Sequence, residues 1–343
     1  MKKFGIWFTI LLLSILCLPQ SGQASKFNFA VDTVIPDNQI DKQKTYFNLE
    51  MKPGQSQTLT IKLRNDTDSP VVIKPEIHSA TTNRNGVVEY GKNTTKRDKS
   101  LAYEMSELVK VKEEITVPAK GNYLLPLEVK MPKEAYKGIL AGGITLEEKK
   151  SKKASKENKS EGLSIENKYA YVVGLTLQEK KDEVKQDLKL KKVAPNQVNA
   201  RNVIEATLQN PTATYLNRFE VDAFVTKKDD DEKLYTAKKM GMQVAPNSHF
   251  AYPIPLNGEK MRPGKYTLHL KAKSSKESWN FTKDFTIKRD EANKFNEQDV
   301  SIKQPNYFWW YVAGIALLLL AALLGFILWR KKKKREQEQD TND

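Results

Sequence analysis

The sequence predicts an all-β protein: two tandem immunoglobulin-like β-sandwich domains followed by one C-terminal transmembrane helix. Three observations lead there. Short alternating apolar runs recur at turn spacing through most of the 343 residues, a Lys-rich polar stretch interrupts them near the middle, and one long uncharged apolar run lies close to the C-terminus.

The two ends read as targeting segments. Lys2 and Lys3 precede an uncharged apolar run from Phe4 to Leu18, Pro19 follows, and Gly22-Gln23-Ala24 presents small residues to a signal peptidase. Residues 1–24 are therefore expected to be a signal peptide, with the mature chain starting at Ser25. Tyr307 to Trp329 is a run of 23 residues without a charge. At a helical rise of 1.5 Å it covers about 34 Å, enough for a bilayer core. Five aromatic residues, Tyr307 to Tyr311, crowd one end of it and Trp329 marks the other, where rings seek the headgroup layers. "RKKKKR" (330–335) follows directly, and basic residues stay on the cytoplasmic side. Its place at the mouth of the span makes it a stop-transfer anchor, not a nucleic-acid patch. The expected location is the cell membrane, single-pass, with residues 25–306 outward and a short cytoplasmic tail, 330–343.

The only cysteine, Cys17, falls inside the signal peptide. An exported chain without disulfides suits a bacterial surface protein. The net charge of +15 is carried mostly by the outward part. Near a bacterial membrane such a surface would be drawn to anionic polymers such as teichoic acids or to lipid headgroups, although a solvated Lys-rich surface has the same composition.

The outward part is long enough for two domains of ordinary size. "KKSKKASKENKS" (149–160) carries six Lys against one Glu and no apolar residue larger than Ala, so it cannot bury a core. It separates a first sandwich, 26–150, from a second, 160–290. "KYAYVVGLTL" (168–177) lies after that break, yet as a strand it can pair with "GILAGGITL" (138–146) and complete the first sandwich across a long polar loop. The stretch 291–306 is polar and reads as a stalk leading to the span.

Within the first domain, "TLTIKLRN" (58–65) alternates Leu59, Ile61 and Leu63 with polar residues, and "PLEVKMP" (126–132) repeats the pattern. A helix is predicted over 100–109, where Leu101, Met105, Leu108 and Val109 share a helical face. The second half offers seven strand-like runs, from "DLKLKKV" to "WNFTKDFTI". The halves also echo each other. "LRNDT" (63–67) matches "LQNPT" (208–212), and "VPAKGNYLLPLEV" (117–129) parallels "VAPNSHFAYPIPL" (244–256), as a duplicated design would.

Catalytic constellations are missing. His78, His249 and His269 have no second His or Cys at ligand spacing, so neither a metal nor another cofactor is expected. The mature chain has no Cys nucleophile, no Gly-x-Ser-x-Gly and no phosphate loop. The acids at Glu113-Glu114 and Asp229-Asp230-Asp231 sit beside lysines in edge or loop positions. The function expected is binding, display or assembly, not catalysis.

Six runs in order, "YFNLEMKPGQSQTLTIKLRN" (46–65), "ATTNRNGVVEYG" (80–91), "KGILAGGI" (137–144), "LQNP" (208–211), "QVAPNSHFAYPI" (243–254) and "RPGKYTLHLKA" (262–272), together resemble the WxL-interacting proteins of Gram-positive bacteria. The resemblance implies a peptidoglycan-binding first domain and a second domain that binds host extracellular-matrix proteins. It also implies association with secreted WxL-domain proteins. The function expected is then a non-enzymatic, membrane-anchored adaptor; the alternative is a membrane-tethered assembly factor whose sheet edge accepts a strand from a secreted client.

For a sugar-peptide polymer, aromatic faces and side-chain amides are the useful groups, which nominates Tyr46, Asn83, Asn85 and Tyr90. Asn247, Ser248, Phe250 and Tyr252 are the matching candidates for partner binding in the second domain. Both sets have a plainer reading. Asn85-Gly86 is hairpin-turn chemistry, "PNS" is an ordinary turn, and "YPIP" is a proline-protected edge strand.

Overall fold

The computed structural model describes residues 28–149, 169–181, 183–302 and 308–339. The expected signal peptide, the Lys-rich break beyond Lys149, the last residues of the stalk and the end of the tail lie outside the described residues.

The first sandwich runs through β1 (Ala30–Val34), β2 (Phe47–Glu50), β3 (Ser56–Arg64), β4 (Val71–Ser79), a two-residue hairpin β5 (Thr81–Thr82) and β6 (Val88–Glu89), a single helical turn α1 (Met105–Leu108), β7 (Val109–Lys110), β8 (Ile115–Val117), β9 (Asn122–Lys130), β10 (Leu140–Glu148) and β11 (Ala170–Gln178). One sheet has the order β1-β3-β9-β7 and the other β2-β11-β10-β4-β8. The alternation along β3 and β9 places Leu59 opposite Leu127 and Ile61 opposite Leu125 on one inner face. Ile73, Ile144, Leu146, Leu175 and Leu177 of the facing sheet close over them, all essentially without solvent exposure. β11 pairs antiparallel with β10 from Leu140↔Leu177 to Glu147↔Ala170 and parallel with β2, so it belongs physically to this sandwich.

The second sandwich has seven strands: β12 (Lys189–Val198), β13 (Arg201–Asn210), β14 (Leu216–Lys227), β15 (Tyr235–Val244), β16 (Ser248–Pro255), β17 (Gly264–Lys273) and β18 (Ser278–Ile287). They form sheets β12-β13-β16 and β15-β14-β17-β18. Phe219, Leu268, Ile204 and Ile254 lie at the centre of its core. Two helices follow, α2 (Arg289–Gln298) and α3 (Phe308–Gln339). α3 holds the apolar window Phe308–Lys331, long enough to cross a membrane, and none of that window is buried against the rest of the chain.

Two sequence expectations are corrected here. The helix predicted over 100–109 shrinks to α1 because its first carbonyls are taken. Arg97 donates to Leu101 O and Ala102 O, and the Met105 amide donates to Ser79 Oγ, so no i→i+4 ladder starts before Met105. The stalk is not free chain either. α2 buries Ala292 completely and rests Phe295 on the core, and Asp299 and Ile302 are buried beyond it.

The sequence echo has a physical basis. Asn65 and Asn210 each end a strand and are fully buried. Asn65 Oδ1 accepts from the amide and hydroxyl of Thr67, and its Nδ2 donates to Ser69 O, Val117 O and Pro118 O. Asn210 repeats this: Oδ1 takes the amide and hydroxyl of Thr212, and Nδ2 reaches Thr214 O and Ala245 O. The partner turns match too. Lys120 and Asn247 both have positive φ, and their amides donate to Thr67 O and Thr212 O. Each Leu-x-Asn-x-Thr motif is thus one half of a lock whose other half is the Val-Pro or Val-Ala-Pro turn.

Removing either amide strands several buried carbonyls. Asn65→Ala and Asn210→Ala should each cost about 3 kcal/mol, read as a lower denaturant midpoint at unchanged slope. Aspartate keeps the acceptor but turns its other oxygen on those carbonyls, so it should be no milder; a loss below about 1 kcal/mol for all of them would contradict the lock.

Candidate functional site at the domain junction

The outer face of the five-stranded sheet is shaped by glycine. Gly143 and Gly174 are cross-strand partners on β10 and β11, on the face turned away from the core. A Cβ at Gly143 would lie 2.7 Å from Tyr90 Cβ, and one at Gly174 would lie 3.6 Å from Tyr46 Cβ. Without side chains there, both tyrosines lie down on the sheet. The Tyr90 hydroxyl stands 3.3 Å from that of Tyr215, which comes from the β13–β14 connection of the second sandwich. Burial pushes both phenols above their ordinary range. Beside them opens a groove of about 1160 Å³, lined from the first domain by Tyr46, Tyr90 and Tyr171 and from the second by Tyr215, Asn217 and Gln243. Lys42 and Lys44 stand at its rim.

The hairpin β5–β6 is a prong set into the second sandwich. Gly86 takes φ +68° at its tip. Asn83 Oδ1 accepts from the amides of Asn85 and Val87, and its Nδ2 donates to Glu89 at 2.6 Å, so this side chain builds the turn. Gly86 lies so close to β15 that a Cβ would overlap the Met242 side chain, and its carbonyl accepts from the Gln243 amide at 2.9 Å. Asn85 Oδ1 accepts from Lys239 Nζ at 3.3 Å, and Arg84 pairs with Glu205 at 3.5 Å. Asn83 and Asn85 therefore belong to the joint between the domains.

The turn before β16 meets the hairpin from the other side. Asn247 donates to Ser100 O and Pro211 O and accepts from the Tyr136 hydroxyl. Ser248 Oγ donates to Ala245 O and lies 3.1 Å from Thr82 Oγ1, which also accepts from the Ala245 amide. Ala80, Ala141 and Ala245 pack into a small apolar cluster alongside. A further close approach is at Gly138, where φ is +101° and a Cβ would lie 2.4 Å from Ala213 O. The adjacent Ile139 amide donates to that same carbonyl.

Asp98 is the most deeply buried of the charges at this seam. Its side chain is 5% exposed and meets His249 Nδ1 at 2.7 Å. Gln209 Nε2 and both donors of Ser100 complete its shell. Burial alone would push the carboxyl up. The hydrogen bonds from His249, Ser100 and Gln209 outweigh it and hold the group well below the usual carboxylate range.

Phe250 and Tyr252 require a correction as contact residues. They are 3% and 2% exposed, Phe250 sits edge-on to Phe219 at 6.3 Å, and burial pushes the Tyr252 phenol up to about 12. Both are core residues of the second sandwich. The structure thus brings Tyr46 and Tyr90 together at the groove, spends Asn83, Asn85, Asn247 and Ser248 on the joint, and withdraws the other two. Sequence reasoning missed Asp98, Gln209, Thr82 and Tyr215. The one signal available was the pair of glycines in "AGGI" and "VVG", which mark where something lies close on a strand. Among the described residues no group of His, Cys, Asp or Glu is placed to hold a metal ion.

The seam has a pH signature. With its folded value held below its unfolded value near 4, the Asp98 contribution is complete above about pH 4 and is lost as pH falls below it. The melting temperature should drop more steeply between about pH 4 and pH 2 in the native chain than in Asp98→Asn; parallel acid limbs would remove Asp98 from the seam.

Comparison with known proteins agrees with this two-part chain. None of the curated proteins matches it. Among solved structures, the class 5 fimbriae chaperone CfaA is 12% identical, over 75% of this chain and 99% of its own, at a TM-score of 0.30. The E. coli chaperone DraB is 14% identical over 76% and 98%, at 0.28. The CsuC–CsuE chaperone–tip subunit complex of Acinetobacter baumannii is 12% identical over 68% and 93%, at 0.31. At these scores the likeness carries no functional argument. Family models are more informative: the peptidoglycan-binding domain of WxL-interacting proteins matches residues 29–148 and their host-binding domain matches 160–297. The second match takes in β11, although that strand completes the first sandwich. With three quarters of its length accounted for by these two domains in order, the chain belongs to the WxL-interacting protein family.

Proposed function

We propose that this cell-surface binding protein is a non-enzymatic, membrane-anchored adaptor whose tyrosine-lined groove holds a peptidoglycan strand, while its surfaces engage WxL-domain proteins and host matrix proteins. The observation that carries the reading is the groove itself. Sugar rings present C–H faces that pack on phenol rings, and Tyr46 and Tyr90 supply them from the first domain and Tyr215 from the second. Asn217 and Gln243 are exposed amides, joined to each other at 2.6 Å, of the kind that bond hydroxyl, acetamido and peptide groups. Lys42 and Lys44 at the rim suit the free carboxylates of stem peptides. The family match supports the polymer and the partners; the groove supports a place for the first of them.

Because both sandwiches contribute walls, a ligand in the groove meets both domains at once. Tyr46→Ala and Tyr215→Ala should each weaken retention on purified peptidoglycan about tenfold, the loss of one ring contact worth roughly 1.4 kcal/mol. Leu124→Ala, an exposed position on the opposite sheet, serves as the control. Unchanged retention in both tyrosine variants would move the polymer site elsewhere.

A further inference from the structure

We propose that the end of the second sandwich remote from the first is a membrane-contact surface, resting on the phosphates of the lipid headgroups; this builds on the reading of α3 as a span. The strand registers define two ends. At one, Asn210 pairs with Ser248 and Leu216 with Val244, and this end holds the first domain. At the other lie the β12–β13 turn at Val198↔Arg201, the β16–β17 connection, and Gly264↔Ile287, from which α2 departs.

The chain leaving that end is fastened to it almost to the span. Asn202 N donates to Asp299 Oδ2, and Asn202 Nδ2 donates to Asn296 Oδ1. Gln197 donates to Phe295 O, and Asn296 exchanges two hydrogen bonds with the Met261 backbone. The Val300 amide donates to Ala200 O, and Gly258 lies against Ser301 O. Ile302, the last residue before 303–307, is buried. Five residues then separate Ile302 from Phe308. Fully extended, they reach about 20 Å, of which a headgroup layer takes roughly 5–8 Å. The end of the sandwich is held over the bilayer surface by covalent geometry.

Its collar has the chemistry for that place. Val300 is 70% exposed beside the β12–β13 turn. Arg201, Lys260 and Arg262 are exposed around it, and among the described residues no carboxylate lies within ion-pair distance of them. Asp299, the acid at the exit itself, is turned inward by Asn202 and Ser301. Glu259 on the collar and Asp290, Glu291 and Glu297 on α2 are the exposed acids next to it, Glu291 being engaged with the Lys288 amide. Asp229 to Glu232 occupy the β14–β15 turn of the four-stranded sheet at the same end, so the contact proposed is made through the β12–β13 and β16–β17 connections, with that turn tilted away from lipid phosphate. An apolar side chain flanked by cations suits the boundary between acyl chains and phosphates.

The test uses the full chain in vesicles. Cys17 is the only cysteine, so in a Cys17→Ser background single labels can be placed by Val300→Cys, Lys260→Cys and, as control, Leu124→Cys. In vesicles of phosphatidylcholine and phosphatidylglycerol carrying headgroup spin label, the first two labels should be quenched and the third should not. Adding about ten Gly/Ser residues before Phe308 frees the sandwich to drift. Quenching that survives this insertion, and is lost when Arg201, Lys260 and Arg262 are all replaced by Glu and the label is carried at Val300→Cys, supports an intrinsic lipid surface. Quenching abolished by the longer tether, or equal at Leu124, overturns it. Extraction of the native chain by alkali would instead refute the span reading, a failure distinct from a chain that stays in the membrane with an unquenched collar.

Discussion

A carboxylate buried between two domains must be satisfied from both of them, and the arrangement of this protein follows from how Asp98 meets that demand. Its oxygens take hydrogen bonds from Ser100 on its own loop and from Gln209 and His249 on two neighbouring strands of the second sandwich. Were the sandwiches to part, a charge would lose two donors together, Gln209 and His249. The hairpin tip at Gly86 and the close backbone approach at Gly138 extend the contact along both flanks, through the Gln243 amide on Gly86 O and the Ile139 amide on Ala213 O. The groove has walls from both sandwiches, so it exists only while this seam is closed.

The lock around Asn65 and Asn210 shows how one device serves two purposes. In the first domain, the turn closing the lock carries Lys120, whose ammonium reaches Asp66 O and pairs with Asp68 on the same exposed end. In the second, the equivalent position is Asn247, whose amide reaches out to Ser100 and Tyr136 of the neighbouring domain. Exchange of a solvated cation for an amide with both donors and acceptors turns a free end into a joint.

Strand positions and core were readable because period-2 alternation reports burial directly, as Leu59, Ile61 and Leu63 do. The seven runs of the second half became seven strands for the same reason. What alternation does not report is which polar residues face another domain. Asn83 and Asn247 look alike in sequence, and turn chemistry and ligand chemistry use the same amides. "YPIP" does lie on an edge strand, β16, but that strand turns the rings nominated for contact, Phe250 and Tyr252, inward, with Phe250 edge-on to Phe219. The segment 289–302 reads as polar tether because its few apolar residues are widely spaced. Its fastening depends on Asn202, Asn296 and Asp299, whose pairing lies some 94 residues apart in the chain.

Strand β13 joins these features in one line. Near its start, Asn202 bonds the segment that leads to α3; at its end, Gln209 and Asn210 hold the seam and its closing turn. Ten residues of strand measure about 33 Å. In the arrangement proposed above, tension on a polymer at the junction would pass toward α3 along a single extended strand, with β12 on one side and β16 on the other to share it as shear across their hydrogen bonds. In that arrangement the second sandwich would work as a strut, and its stiffness, more than any single contact, would fix how far from the lipid a captured chain is kept.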